Sequence, residues 1–184
     1  MCKYLCRVCV PETRAKIRKT ILCKSLAGND VDVLIVTNFA SDPIELSQRP
    51  SVVLTSRVHP GETNASWMMQ GMIDYLVSDE EAARKLRDFF VFKIVPMQNP
   101  DGVVVGNYRC SLAAVDLNRQ WAAASQRLHP INHNVKHMIK KTLDSREIYM
   151  YCDLHGHSVG KNFFMFGNRQ ETEESKNKEK VFPL

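Results

Sequence analysis

Apolar residues alternate along this chain between short β-like runs and helical stripes, and the order of the two patterns predicts the architecture. Thr20 to Leu26 and Val31 to Phe39 are β-rich runs joined by Gly28-Asn29-Asp30, which reads as a hairpin. A loop from Ala40 to Pro50, with two prolines, leads into the strand-like run Ser51-Val52-Val53-Leu54-Thr55-Ser56. Ala65, Met68, Met69, Met72, Ile73 and Leu76 then recur at i, i+3, i+4, i+7, i+8 and i+11, one face of a helix, so the methionines read as core. Asp79 is the expected N-cap of a second helix whose Ala82, Ala83, Leu86 and Phe89 repeat the pattern, and Phe90 to Val95 returns as a buried strand. A helical segment near Ser125 to Leu143 and a strand over Glu147 to Leu154 continue the rhythm. Alternation of this kind predicts an α/β fold, with a mixed, largely parallel central sheet flanked by helices.

Composition narrows the class. A chain of 184 residues suits one domain with a real core, and 44% hydrophobic content is ordinary for a globular protein. The formal charge of +5 is spread along the chain rather than gathered into a basic arm, which argues against nucleic-acid binding and is compatible with an acidic partner. No apolar run reaches the length of a membrane span, and no signal-like h-region follows Met1 to Arg7, so the expected compartment is the cytosol and no membrane partner is expected. The six cysteines, at positions 2, 6, 9, 23, 110 and 152, have no framework spacing and read as reduced thiols. Cys6-Arg7-Val8-Cys9 is formally a C-x-x-C but lacks a second pair or a histidine partner. The segment Arg169 to Lys180 is dense in charge, and Val181-Phe182-Pro183-Leu184 turns apolar where the chain stops, as a cut chain would.

Three stretches carry chemistry. Arg57-Val58-His59-Pro60-Gly61-Glu62-Thr63 lies where a strand ends and a helix begins, and Pro60-Gly61 favours a turn that brings the His59 imidazole and the Glu62 carboxylate together. That is half of a catalytic zinc set, which uses three protein ligands and leaves a fourth position open. A second strand end, Asp153-Leu154-His155-Gly156-His157-Ser158, offers two histidines for the missing place. Between them lie Asn99-Pro100-Asp101-Gly102, which is turn chemistry, and an irregular segment whose Arg109, Asn118 and Arg119 could grip a carboxylate bidentately. His129, His133 and His137 recur at helical spacing, but no carboxylate joins them and Pro130 interrupts the start, so a solvated helix face is the expected reading.

Taken together and in order, His59-Pro60-Gly61-Glu62, Asn99-Pro100-Asp101-Gly102, Asp116-Leu117-Asn118-Arg119-Gln120-Trp121 and Asp153-Leu154-His155-Gly156-His157-Ser158 resemble the zinc carboxypeptidases. More narrowly they resemble the cytosolic branch that removes glutamates from tubulin and other proteins, as do Ser25 to Asn29 and Lys161 to Gly167. The resemblance implies one zinc ion held by His59, Glu62 and His155, with His157 a neighbour and Asp116 orienting the His59 ring. It implies that Asn118 and Arg119 bind the terminal carboxylate of the substrate, and that Arg109 polarises the scissile carbonyl and stabilises its oxyanion. Partners so implied are acidic protein C-terminal tails, tubulin above all, and residence on microtubules is carried by the resemblance alone.

Two departures from the family pattern shape the expectation. The family's general-base glutamate and its substrate-holding tyrosine lie beyond the third zinc ligand, whereas the only carboxylates here after His155 are Glu171, Glu173, Glu174 and Glu179, in no matching motif. Most of the family's N-terminal β domain is also missing, so residues 1–19 read as the remnant of a preceding segment and 20–184 as a partial catalytic domain, truncated at both ends. Loss of the base typically forfeits roughly 10² to 10⁴ in rate, so weak activity or none is expected of the isolated chain. Ala114 stands where the turn before Asp116 would take glycine. Two further readings are a non-catalytic module that binds zinc and acidic peptides, and a zinc deacylase of N-acyl amino acids; Asn118-Arg119 argues against the latter.

Overall fold

The computed structural model describes residues 4–5 and 8–167. Strands β1 (Ile17–Lys24) and β2 (Asp30–Val36) form the expected antiparallel hairpin, with an irregularity between Ile21 and Cys23. Its turn is pinned from outside: buried Asp101 accepts hydrogen bonds from Ser25 Oγ (2.5 Å), Asn29 Nδ2 (2.8 Å) and the Ala27 amide (3.0 Å). Strands β3 (Ser51–Ser56), β4 (Val91–Val95) and β5 (Ile148–Leu154) complete a five-stranded sheet in the order β1-β2-β4-β3-β5. The sheet is mixed: β2 meets β4 antiparallel, while β4, β3 and β5 run parallel. All six residues of β3 are buried, as a central strand covered on both faces requires.

Helices cover both faces. On β2, Leu34 and Val36 pack with Val52, Leu54, Phe92 and Ile94 against Ala65, Met69, Ile73 and Leu76 of α2 (Thr63–Val77). Val31 and Val33, which alternate to the other face, pack with Val95 and Leu117 against Ile131 and Val135 of α5 (Pro130–Leu143). The apolar stripe read from the sequence is thus the buried face of α2, with Met69 fully enclosed. Burial of side chains the size of Met69, Ile73 and Leu76 contributes about 1.5–3 kcal/mol each. Further helices are α1 (Pro43–Gln48), α3 (Glu81–Phe89) and α4 (Pro100–Val105), with 3₁₀ turns at Pro11–Thr13 and Leu117–Arg119. Tyr4 and Leu5 are buried in the α2-side core.

Several local expectations change. The stretch from Ala40 to Pro50 holds α1, because Asp42 accepts from the Ile44 amide (2.8 Å) and Pro43 takes the first helical position. Asp79 does not cap α3: the N-cap is Glu80, without a side-chain bond, and Asp79 instead receives Lys16 Nζ at 2.7 Å. Asn99-Pro100-Asp101-Gly102 is more than a turn, since Asn99 Oδ1 accepts from the Gly102 amide (3.0 Å) and starts α4, which ends at Gly106 in the left-handed region (φ 86°). The helix expected from Ser125 begins only at Pro130, whose missing N–H suits the first turn. Ala114 has φ 56°, the backbone state for which glycine was expected there. Among the described residues no helix is long and apolar enough to cross a membrane, and Cys23, Cys110 and Cys152 are free thiols. Cys6, Arg7 and the tail from Asn168 to Leu184, including Glu171, Glu173, Glu174 and Glu179, lie outside the described residues.

Candidate metal centre

The parallel strands β3 and β5 are neighbours in register, Thr55 facing Asp153 and Ser56 facing Leu154, so their C-terminal ends release two loops side by side. This is where open α/β sheets place their ligands. The β3 loop, residues 57–62, turns directly into α2, and Glu62 becomes the N-cap residue of that helix. The β5 loop comes close because Gly156 has no side chain: a Cβ there would collide with the Asn64 amide in the first turn of α2. The Gly156 amide donates to Glu62 Oε2 at 2.8 Å, which binds the two loops together.

Three potential ligand atoms converge at that junction. The Glu62 carboxylate lies 2.7 Å from His59 Nδ1 through Oε1 and 3.0 Å from His155 Nδ1 through Oε2. His59, Glu62 and His155 each offer one ligand atom, all within 4.8 Å of one another, and they are the one group of this kind among the described residues. Two imidazole nitrogens and one carboxylate oxygen are a donor set for zinc with one position left open, so the residues present fit that ion. The outer ring nitrogens are also engaged: His59 Nε2 lies 3.0 Å from Asp116 Oδ1, and His155 Nε2 lies 2.7 Å from Asp153 Oδ2. Each carboxylate fixes its ring so that Nδ1 turns toward Glu62.

The electrostatics follow from these partners. Burial works against the charge on Asp116, yet the His59 ring, the Asn118 amide and Arg109 together hold its carboxyl below the ordinary value. The hydrogen bond that the His155 ring makes to the Asp153 carboxylate, aided by the charges of Asp153 and Glu62, raises His155 above the ordinary value of 6.5 against the opposing effect of its burial. His157 stands apart from the cluster; its Nδ1 accepts the Val159 and Gly160 amides, and its ring meets Phe164 edge-on. The histidines at helical spacing do not form a ligand group, and the solvated face expected for them holds only at His137: His129, the N-cap residue of α5, is buried with its Nδ1 accepting the Ser125 amide, and His133 is half-buried.

A family model described as zinc carboxypeptidase (Peptidase_M14) matches residues 12–182. The chain belongs to the zinc carboxypeptidase family. It is 49% identical to cytosolic carboxypeptidase 2 of Mus musculus over 163 residues, which are 89% of this chain and 19% of that protein. It is 46% identical to cytosolic carboxypeptidase 3 of Mus musculus over 189 residues, 99% of this chain and 18% of that protein. Among solved structures, a metallo-carboxypeptidase from Burkholderia cenocepacia superposes with a TM-score of 0.73 at 28% identity, covering 84% of this chain and 40% of the other. The chain therefore spans about a fifth of the length of these curated relatives.

The other site residues of this zinc carboxypeptidase chain lie along one rim. Asp116 Oδ2 accepts both Nε and Nη2 of Arg109 at 2.8 Å, which ties that arginine to the carboxylate that orients His59. The 3₁₀ turn Leu117–Arg119 follows, anchored by buried Leu117. Asn118 is held by its amide on Asp116 (2.8 Å) and by the Trp121 indole on its Oδ1 (2.7 Å), and its Nδ2 reaches 3.5 Å from His155 Nε2. Arg119 points outward, exposed, with Nη1 3.3 Å from the Asn118 carbonyl. Sequence reasoning assigned no role to Asp153, Thr55, Gln98 or Trp121. Asp153 Oδ1 accepts from Thr55 Oγ1 (2.6 Å) and Gln98 Nε2 (3.2 Å), and both donors are buried. One signal was present: Asp153 lies two residues before His155, the spacing at which extended backbone turns side chains to the same side, at the point where β5 ends.

Proposed function

We propose that this chain carries the zinc-binding and substrate-carboxylate-binding part of a cytosolic metallocarboxypeptidase that removes C-terminal residues, glutamate foremost, from acidic protein tails such as those of tubulin. The observation that carries it is the convergence of His59, Glu62 and His155 from two neighbouring strand ends, each histidine backed by its own aspartate. His59 Nδ1, Glu62 and His155 Nδ1 hold the metal in this reading. Zinc, when bound, supplies Lewis acidity toward a carbonyl and makes water a better nucleophile.

The chain's own residues do the rest. Asn118 and Arg119, presented by the 3₁₀ turn, bind the terminal carboxylate of the peptide; Arg119 is free to swing because its side chain is exposed. Arg109, held against Asp116 through Nε and Nη2, directs its charge toward the developing oxyanion. Support for an acidic substrate comes from the two rim arginines, and support for the compartment comes from relatives that bear the name cytosolic carboxypeptidase.

One observation favours a second reading, a module that binds zinc and acidic C-terminal peptides without turnover. The carboxylates bonded to the cluster are all committed: Glu62 to both histidines, Asp116 to His59 and Arg109, Asp153 to His155 and Thr55. None of the three is left over to act as general base. The zinc-loaded chain is therefore expected to bind a glutamate-terminated peptide and to release glutamate slowly or not at all. The test pairs peptide-binding calorimetry with a glutamate-release assay on wild type and Arg119→Ala. Binding lost in the variant supports the carboxylate site; equal binding by both, or indifference to the terminal carboxylate, contradicts it.

A further inference from the structure

Arg57 is a buried cation placed directly beneath the metal-binding turn, and the reading above gives it no work. Its backbone adopts φ 56°, a left-handed state that glycine enters freely and a bulky side chain rarely does. The same residue is only 9% exposed, and a buried guanidinium needs partners. Those partners are the turn itself. Arg57 Nε donates to the Pro60 carbonyl at 2.8 Å, and Nη1 donates to Ser66 Oγ at 2.6 Å in the first turn of α2. Its charge also interacts favourably with Glu62. The reversal of the chain alone would be met with less strain by glycine, so what the arginine adds is a fork: one tine holds the peptide between the two ligands, and the other holds the helix that carries Glu62.

We propose that Arg57 is a positioning residue for the metal centre, clamping the His59–Glu62 turn to the head of α2 so that the imidazole and the carboxylate stand at ligand spacing before an ion arrives. The proposal rests on His59, Glu62 and His155 forming the zinc site. The backbone on the far side of the clamp is also fixed, since the Asn99 amide donates to the Arg57 carbonyl (3.2 Å) and Asn99 Nδ2 to the Val58 carbonyl (3.2 Å). Movement allowed by losing the guanidinium is therefore confined to the segment that bears the ligands.

Two substitutions separate the side chain from the backbone. Arg57→Gly keeps the left-handed conformation and removes the fork; Arg57→Lys keeps the charge and loses the paired geometry. Zinc affinity is read by competition with a chromophoric chelator, the metal-free fold by thermal unfolding, and site geometry by the visible spectrum of the cobalt-loaded chain. Arg57→Gly is expected to weaken zinc about 10- to 100-fold, the usual effect of losing a group that orients a ligand, with an altered cobalt spectrum. Arg57→Lys falls between it and wild type. Ser66→Ala, a milder change that removes one tine, is expected to weaken zinc less and serves if Arg57→Gly does not fold. Wild-type zinc affinity and cobalt spectrum in the folded Arg57 variants, or in Ser66→Ala where Arg57→Gly is unfolded, would overturn the proposal. So would a loss of affinity that merely tracks the unfolded fraction. His155→Ala separates the two failures: if it leaves zinc binding intact, the zinc-site reading fails; if it abolishes binding while the clamp variants do not weaken it, only the role of Arg57 fails.

Discussion

The two histidines of the metal centre hang from strands of opposite character. His59 follows β3, a central strand buried along its whole length, and is itself only 4% exposed. His155 follows β5, the last strand of the sheet order among the described residues, where Tyr149, Met150 and Tyr151 are all exposed. Both rings are oriented the same way, by an aspartate on Nε2, but the first is built into the core and the second is held by a polar chain. That chain runs from Gln98, in the loop after β4, and Thr55 of β3 through Asp153 of β5 to His155. His59 adds the bond of Asp116 and the Arg57-held turn to a buried setting, whereas His155, more open to solvent, relies on hydrogen bonds from its neighbours. Half of this site is thus fixed by the hydrophobic core and half by a buried polar network, which is specific only while every member is satisfied.

Removing the ligands themselves is the strongest way to break the comparison. His59→Ala and His155→Ala are both expected to abolish stoichiometric zinc binding. They differ in the metal-free chain: His59→Ala leaves Glu62 and Asp116 short of a buried partner, at about 1–3 kcal/mol for each group so exposed. His155→Ala costs less, because its ring is 31% exposed. Denaturant unfolding of the two variants without metal checks the difference, and equal destabilisation would erase the distinction between core-held and network-held ligands.

The next effects in size come from the orienting aspartates. Asp116→Asn and Asp153→Asn are each expected to weaken zinc about 10- to 100-fold. Thr55→Val, which removes a donor to Asp153 at nearly constant volume, is expected to reproduce part of the Asp153→Asn effect and none of the Asp116→Asn effect, as chelator competition would show. Acid sharpens the same contrast. The raised affinity of His155 for a proton means that the charged ring contributes to the metal-free fold below pH 6.5, and that this contribution is lost as pH rises through its elevated value. Zinc needs the neutral ring, so zinc affinity is expected to fall on acidification from a point above pH 6.5. A fall that begins only well below pH 6 would contradict the part assigned to Asp153. The smallest effect lies outside the centre: Ala114→Gly relieves a left-handed alanine and is expected to stabilise the chain by at most about 1 kcal/mol in thermal unfolding, without altering zinc binding.

The same division explains what could be read from the sequence. The hairpin, β3, the stripe of α2 and β4 are local patterns of period 2 or 3.6, and they sit where the residues put them. His59 and Glu62 were legible because a Pro-Gly turn links them within four residues. The N-cap at Asp79 was misread because a long-range partner, Lys16, engages its carboxylate in place of the helix amides. Asp42-Pro43 did carry a helix-start signal for α1, hidden behind the assumption that two prolines make a loop. The role of Asp153 depends on Thr55 lying opposite it in parallel register and on Gln98 arriving from the end of β4. Such register is a property of the assembled sheet, and no single segment announces it.

The measurement that tests the central claim most directly is X-ray absorption spectroscopy of the zinc-loaded chain. The account predicts one zinc per chain, imidazole scattering from two rings at about 2.0–2.1 Å, further oxygen at about 2.0–2.2 Å, and loss of one imidazole contribution or of the ion altogether in His155→Ala. Sulfur scattering at about 2.3 Å, or a spectrum unchanged by that substitution, would place the metal elsewhere and contradict it.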